Sequence, residues 1–233
     1  MLQPAADRAL WLDQAGPVPR RPTLGDDTAA DVAIVGAGYS GLWTAYYLLA
    51  GDPSLRVVLL DREHVGFGAS GRNGGWAVGE LASHAIPPAM TRALFDAVAE
   101  ISRVTAAEAI DCGYARGGTV RVARTGPQLD RQRAELIAFH RLGFGDDDLR
   151  ELSATEATSM LAASRVRGGL YFAHTAAVQP LLLARGLAAA VERRGAVIHE
   201  DTPVTALEPG VVRTTHGTVR ADVVIRATEA YIR

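Results

Sequence analysis

Along residues 31–61 the apolar positions come in short, unbroken runs. Asp31-Val-Ala-Ile-Val35 is almost continuously apolar, as expected of a strand buried on both faces. It stops at a glycine turn. Gly41-Leu-Trp-Thr-Ala-Tyr-Tyr-Leu-Leu-Ala50 suits a buried helix, and Gly51-Asp52-Pro53 ends it with residues that continue a helix poorly. The apolar, β-branched run Leu55-Arg-Val-Val-Leu-Leu60 predicts a second strand that ends on Asp61. Strand, helix and strand within about 30 residues predict one βαβ unit with a right-handed crossover.

Further along, the spacing becomes helical. Residues Pro87 to Gly113 predict a long helix whose core stripe is Met90, Leu94, Val98, Ile101, Thr105 and Ala109. Gly117–Arg124 alternates as a half-buried strand, and Gly126-Pro127 opens a helix to about Leu142. Leu149–Leu161 predicts another short helix, with Ser153 and Glu156 at capping-box spacing. Gly168–His174 predicts a strand, in which alternation sends Tyr171 and Phe172 to opposite faces. Gln179-Pro180 opens a helix to Arg194, and Ala196–Glu200 follows it. Pro209-Gly210 and His216-Gly217 punctuate a small meander, and Ala221–Tyr231 supplies a closing strand and turn. Within that strand Arg226 needs solvent or a carboxylate partner. Residues 1–30, broken by Pro4, Pro17, Pro19 and Pro22, read as an irregular lead-in.

Composition then narrows the chemistry. All 24 positive side chains among the 233 residues are arginine, so Schiff-base lysines, lysine nucleophiles and Walker-loop lysines are excluded. A formal net charge of -2 gives no support to nucleic-acid binding. Cys112 is the only cysteine, which forms no internal bridge and fits a reducing compartment, so the cytoplasm is expected; no catalytic role is assigned to it. The amino terminus lacks the pattern of a secretory leader, and the longest strongly apolar stretch, Gly41–Ala50, is far short of the roughly 18 residues a membrane span needs. The six histidines are scattered and none forms an HExxH pair, so no metal site is expected. Gly68-Ala-Ser70-Gly-Arg72 departs from a GxSxG nucleophile elbow at position 72.

One motif points to a ligand. Gly36-Ala37-Gly38-Tyr39-Ser40-Gly41 has the glycine spacing of a dinucleotide fingerprint and lies between the predicted strand and helix. The first glycine permits the tight turn, the second lets backbone approach a pyrophosphate, and the third lets helix and strand pack closely. The helix amino terminus adds unpaired N–H groups and a positive dipole end. Asp61, 20 residues after Gly41, can accept hydrogen bonds from ribose hydroxyls and would repel a 2'-phosphate, which argues against NADP. NAD and FAD remain open on this motif alone. The loop Gly66-Phe-Gly-Ala-Ser70-Gly71-Arg72-Asn73-Gly74-Gly75-Trp76, with its five glycines and its hydroxyl, amide and guanidinium, suits a second contact with a pyrophosphate and an extended ring system.

Taken together, Val-Gly-Ala-Gly-Tyr-Ser-Gly, Leu-Leu-Asp and Gly-Ala-Ser-Gly-Arg-Asn-Gly-Gly resemble the FAD-dependent oxidoreductases of the D-amino-acid oxidase superfamily. The Ser-Gly-Arg-Asn-Gly-Gly form is most similar to the branch of gamma-glutamylputrescine oxidase and glycine or sarcosine oxidase-like enzymes. The resemblance implies an α/β fold, in which a Rossmann-type, glutathione-reductase-like FAD-binding domain is interrupted by part of an α+β substrate domain. Its implied boundaries are residues 1–30 for the lead-in, 31–85 and 176–233 for the FAD-binding domain, and 86–175 for the partial substrate domain. Because related enzymes continue well past the point matched by Arg233, a chain truncated at its carboxyl end is expected.

The cofactor-binding candidates are Gly36, Gly38, Tyr39, Ser40, Gly41, Asp61, Arg62, Ser70, Gly71, Arg72, Asn73, Gly74, Val204, Ala227 and Thr228. No histidine stands in residues 66–76, so FAD is expected to bind non-covalently. Tyr171, Phe172 and His174 are candidates for a substrate cavity, against a plainer role as core aromatics and a capped histidine. The implied reaction is oxidation of a small amine or amino acid at its C–N bond, with oxygen as acceptor and no catalytic residue assigned. The alternatives are a truncated, non-catalytic FAD-binding relative, a NAD-dependent dehydrogenase, and a flavin-dependent RNA-modification domain, which the lack of basic excess disfavours.

Overall fold

The computed structural model describes residues 9–17, 20–80 and 86–231. Its chain divides into two compact units: one holds the residues up to Gly75, Thr105–Cys112 and those from Gln179 onward, and the other holds Trp76–Val104 and Gly113–Val178.

The first unit begins with a short helix α1 (Leu10–Ala15), where the sequence predicted only irregular chain. Strand β1 also starts earlier than predicted and covers Thr28–Val35. Helix α2 (Tyr39–Gly51) and strand β2 (Val57–Leu60) complete the βαβ unit, with β1 and β2 parallel from Val32↔Val57 to Val35↔Leu60. The unit's sheet also takes in β9 (Val197–His199), β10 (Val204–Glu208), β11 (Val211–Thr214) and β12 (Thr218–Arg226), in the order β10-β11-β12-β1-β2-β9. Strands β12, β1, β2 and β9 run parallel, and β10 to β12 form the predicted meander as antiparallel neighbours.

Helix α6 (Pro180–Arg193) packs beside α2. It starts where Gln179-Pro180 predicted, because the Gln179 side chain accepts the Leu182 N–H and Pro180 occupies the first turn, where its missing N–H leaves no gap. Ile34, Leu42, Leu49, Leu59 and Leu187 are fully buried, as the unbroken apolar runs require. A further cluster combines Ala33, Val35, Val58, Leu60, Val212 and Val219 with Leu24 of the lead-in. Arg226 is exposed, so solvent meets its need for a partner.

The second unit contains two three-stranded sheets. One is β3 (Trp76–Val78), β8 (Thr175–Ala177) and β4 (Ala115–Arg116), with β8 central; the other is β5 (Thr119–Ala123), β7 (Gly168–Phe172) and β6 (Leu149–Leu152), with β7 central. Helix α4 (Gly126–Arg141) opens on a capping box between Thr125 and Gln128. Helix α5 (Ala154–Met160) opens on the predicted box between Ser153 and Glu156. That box corrects the helix predicted over Leu149–Leu161. Its amino-terminal cap stands at Ser153, and Leu149–Leu152 before it is a strand that buries Leu149 and Leu152 against β7.

Helix α3 (Pro88–Ala107) stops short of the predicted Gly113, since Ala109 has φ 52° and Ile110 N–H reaches back to Thr105 O. Its buried positions are Phe95, Val98, Val104 and Thr105, while Met90 and Ala109, the two ends of the predicted stripe, are exposed. Phe95, Phe144, Leu149, Leu170 and Phe172 form this unit's core.

Candidate functional site

The carboxyl ends of parallel strands are where open α/β sheets place ligands. In the first unit β1 ends at Val35, β2 at Leu60 and β12 at Arg226, and a cleft of about 370 Å³ opens there. That volume lies in the range of about 300–1,000 Å³ typical of small-molecule sites.

The floor of the cleft is the turn from β1 to α2. Gly36 has φ +110°, a backbone conformation that favours glycine, and any Cβ there would collide with the carbonyl of Ala227. Gly41 lies below the turn, where a Cβ would strike the Gly36 carbonyl; its task is to let α2 approach the strand, and it does not line the cleft. Gly38 faces the glycine-rich loop, and a Cβ on it would lie 2.8 Å from Ser70 Oγ. Helix α2 therefore begins with Gly38, Tyr39 and Ser40 at the cleft, and its N-cap residue, Gly38, has no side chain to cap the first turn. Its dipole end favours a negative group there.

Ser70 Oγ accepts the Tyr39 N–H at 2.9 Å, which joins the second glycine loop to the first turn. The Tyr39 hydroxyl donates to Pro180 O at 2.8 Å, and burial raises its pKa above the ordinary tyrosine value. Asp61 follows the end of β2, where its carboxylate accepts the Ala37 N–H at 2.7 Å and the Glu63 N–H at 2.9 Å. Burial raises its pKa, and those two backbone bonds oppose the shift. Each carboxylate oxygen keeps a second lone pair for a hydroxyl donor.

Ten of the candidate residues line this one cleft: Gly36, Gly38, Tyr39, Ser40, Asp61, Arg62, Ser70, Val204, Ala227 and Thr228. The other five do not. Gly71 packs against Gly66 and Leu181. The Arg72 guanidinium turns back to the Phe67 carbonyl and lies 4.1 Å from the centroid of the Phe67 ring. Asn73 uses its amide inside the turn, with Nδ2 donating to Ser70 O at 3.0 Å and Oδ1 accepting the Gly75 N–H at 2.9 Å. Gly74, like Gly41, is absent from the lining.

Several lining residues escaped the motif reading: Glu63, Phe67, Thr202, Glu229 and Tyr231. Glu63 and Phe67 sit within or beside the motifs, so adjacency was an available signal. Thr202 reaches the site because its N–H donates to Asp61 O at 2.8 Å across 141 positions of chain, which no local pattern shows.

In the second unit Phe172 lines a separate cavity of about 870 Å³ together with Leu94, Phe95, Phe139 and Arg131. Tyr171 and His174 are not in its lining. His174 stacks on Phe95 with centroids 3.6 Å apart, and its Nε2 lies 2.7 Å from Asp148 Oδ1. Among the described residues no group of three or more His, Cys, Asp or Glu side chains is placed to hold a metal, and no helix is long and apolar enough to cross a membrane.

Residues 31–233 match a family model described as DAO, FAD dependent oxidoreductase. Gamma-glutamylputrescine oxidoreductase of Escherichia coli (strain K12) is 33% identical over 223 residues, covering 90% of this chain and 51% of that protein. Glycine oxidase of Geobacillus kaustophilus (strain HTA426) is 30% identical over 210 residues, covering 86% and 55% respectively. The crystal structure of glycine oxidase from Geobacillus kaustophilus is similar in fold, with a TM-score of 0.75 at 25% identity over 85% of this chain and 55% of that one. The chain spans about half the length of these relatives.

Proposed function

The chain belongs to the FAD dependent oxidoreductase family, and on that premise we propose that the cleft at the ends of β1, β2 and β12 holds FAD non-covalently, in a protein that oxidises the C–N bond of a small amine or amino acid. The observation that carries the cofactor reading is the convergence of both glycine loops and Asp61 on one cleft. Steric fit supports it, since a Cβ at Gly36 would meet the Ala227 carbonyl and one at Gly38 would meet Ser70 Oγ, so both positions at the cleft suit glycine.

In this reading Gly38, Tyr39 and Ser40 meet the pyrophosphate with the start of α2, and Ser70 holds the second loop against them. Asp61 receives the ribose hydroxyls through its remaining lone pairs, while Val204 and Thr202 bracket the adenosine end. Arg72, Asn73 and Gly74 serve through the shape of the loop toward the flavin end. Residues 86–175 are proposed as part of the substrate domain.

When bound, FAD supplies the acceptor for a hydride from the carbon that carries nitrogen. The substrate nitrogen would release a proton, the imine product would take up water to give a carbonyl compound and an amine, and oxygen would accept the two electrons together with two protons to give hydrogen peroxide. The protein's part is to bind, orient and exclude water, in a reducing compartment that suits its single cysteine. Family membership leaves no role for the NAD-dependent dehydrogenase alternative.

Titration of the apo-protein with FAD, NAD and NADP, followed by flavin fluorescence quenching and calorimetry, tests the cofactor. Saturable FAD binding without NAD binding is expected, and failure to bind FAD overturns the reading. A second reading, an FAD-binding chain without turnover, draws on the half-length match to its relatives. Peroxide release from a panel of amines and amino acids favours the enzyme, and flavin that stays oxidised with every member favours the second reading.

A further inference from the structure

The family model's match begins at residue 31, after the lead-in segment. That segment is nevertheless tied down at two places. At the first, Trp11 Nε1 donates to Asn73 O at 2.8 Å, and Trp11 O accepts from Gln179 Nε2 at 2.9 Å. Arg185 Nη1 adds a bond to Gly16 O at 2.9 Å. Asn73 in turn holds Ser70 O, and Pro180, next to Gln179, takes the Tyr39 hydroxyl. Trp11 thus grips both supports of the Ser70–Tyr39 contact at the cleft.

At the second place, Arg21 N–H donates to Glu200 Oε2 at 2.9 Å, and its guanidinium reaches Glu200 and Glu192 at 3.3 and 2.6 Å. Glu200 is only 2% exposed, and its other oxygen accepts the Val65 N–H at 2.9 Å. Leu24 N–H donates to Thr202 Oγ1 at 3.1 Å. Thr202 lines the cleft, and residues 61–65 include Asp61 and Glu63, which line it too. A buried carboxylate without these donors would be costly, so Arg21 and Val65 are bound to it in one arrangement.

No described residue between 10 and 24 lines the cleft. We propose that residues 10–17 and 20–24 form a positioning strap for the cofactor site, with Trp11 holding its pyrophosphate side and Arg21 its adenosine side. The inference rests on the FAD reading above. It assigns no catalytic role to either residue: Trp11 acts through Asn73 and Gln179, and Arg21 acts through Glu200.

The test uses the full chain with Trp11→Phe, which keeps an aromatic, though smaller, ring and removes the donor, and with Arg21→Gln. FAD affinity is read by fluorescence quenching, AMP affinity by calorimetry, and the thermal midpoint without ligand separately. Trp11→Phe is expected to weaken FAD by about tenfold and to leave AMP within about twofold, because its anchor lies away from the adenosine edge. Arg21→Gln is expected to weaken FAD and AMP alike, by about tenfold. Folded variants that bind both ligands like the wild type overturn the strap and leave the FAD reading intact. Equal losses for FAD and AMP in Trp11→Phe that follow the fall in midpoint also overturn it, since a purely structural role predicts them. If Arg21→Gln does not fold, the FAD-to-AMP split in Trp11→Phe decides alone. A wild-type chain that takes up no FAD overturns the cofactor reading and the strap with it.

Discussion

Gly41→Ala tests the architecture of the cofactor site at its tightest point. An added Cβ would lie inside 3.0 Å of the Gly36 carbonyl oxygen, 3.1 Å from its carbon and 3.3 Å from Ile34 Cγ2. The first two are backbone atoms that cannot rotate away, so the first turn of α2 must withdraw from β1 by about an ångström, and overpacking of this kind costs about 1–3 kcal/mol. The withdrawal also draws the Tyr39 N–H off Ser70 Oγ and shifts Gly38 in the cleft. Losing one charge-assisted contact to a phosphate, at about 1.5 kcal/mol, lowers FAD affinity roughly tenfold. Gly145→Ala is the control, because nothing lies within 4 Å of a Cβ there, its φ is outside the left-handed region and it does not line the cleft. Its expected effect is within about 0.5 kcal/mol. Urea denaturation and FAD titration of both variants provide the measurement. If Gly41→Ala matches Gly145→Ala in stability and in FAD affinity, the close helix-to-strand contact is not what shapes this site.

Glu108 gives a prediction in pH. Its carboxyl is held down to about 2 from 4.5 chiefly by the Arg194 hydrogen bond, with Arg193 and Tyr46 adding to it against the opposing effect of burial. A folded pKa below the unfolded one gives stability that is complete above pH 4.5 and is lost as pH falls toward 2. Glu108→Gln should therefore cost roughly 2–3 kcal/mol at pH 7, with the gap closing toward pH 2 in stepped denaturation series; a gap independent of pH refutes this. Ser70→Ala removes the acceptor for the Tyr39 N–H and should weaken FAD by about threefold to tenfold, measured by fluorescence quenching. Unchanged affinity would show that the loop is held without that bond.

Much of the first unit was legible from local pattern. The unbroken runs at 31–35 and 55–60, with glycines between them, predicted β1, α2 and β2 because burial on both faces and a tight turn leave few other residue choices. The second unit was less legible. Leu149–Leu152 read as helix because a four-residue strand gives too few alternations to set against a following helix, although the Ser153 cap marked the true boundary. The stripe on α3 was misplaced at its ends for a related reason: apolar spacing alone does not say where a neighbouring element stops covering the helix.

The sequence by itself determined the features that depend on short-range sterics and local hydrogen bonds: the βαβ unit, the glycine spacing, the caps at Ser153 and Gln179, and the acid at the end of β2. Only the tertiary structure decided which polar groups face the cleft. Arg72 and Asn73, conspicuous in the loop, turn to the loop's own carbonyls, whereas Thr202 and Tyr231 come to the lining from distant chain. It also decided that the described part of the lead-in is structured, since Trp11 finds Asn73 62 positions away and Arg21 finds Glu200 179 positions away. The physical reason is the same in each case. A backbone turn is set by its own residues, but a polar side chain goes wherever the folded chain leaves a partner, and that partner need not be near in sequence.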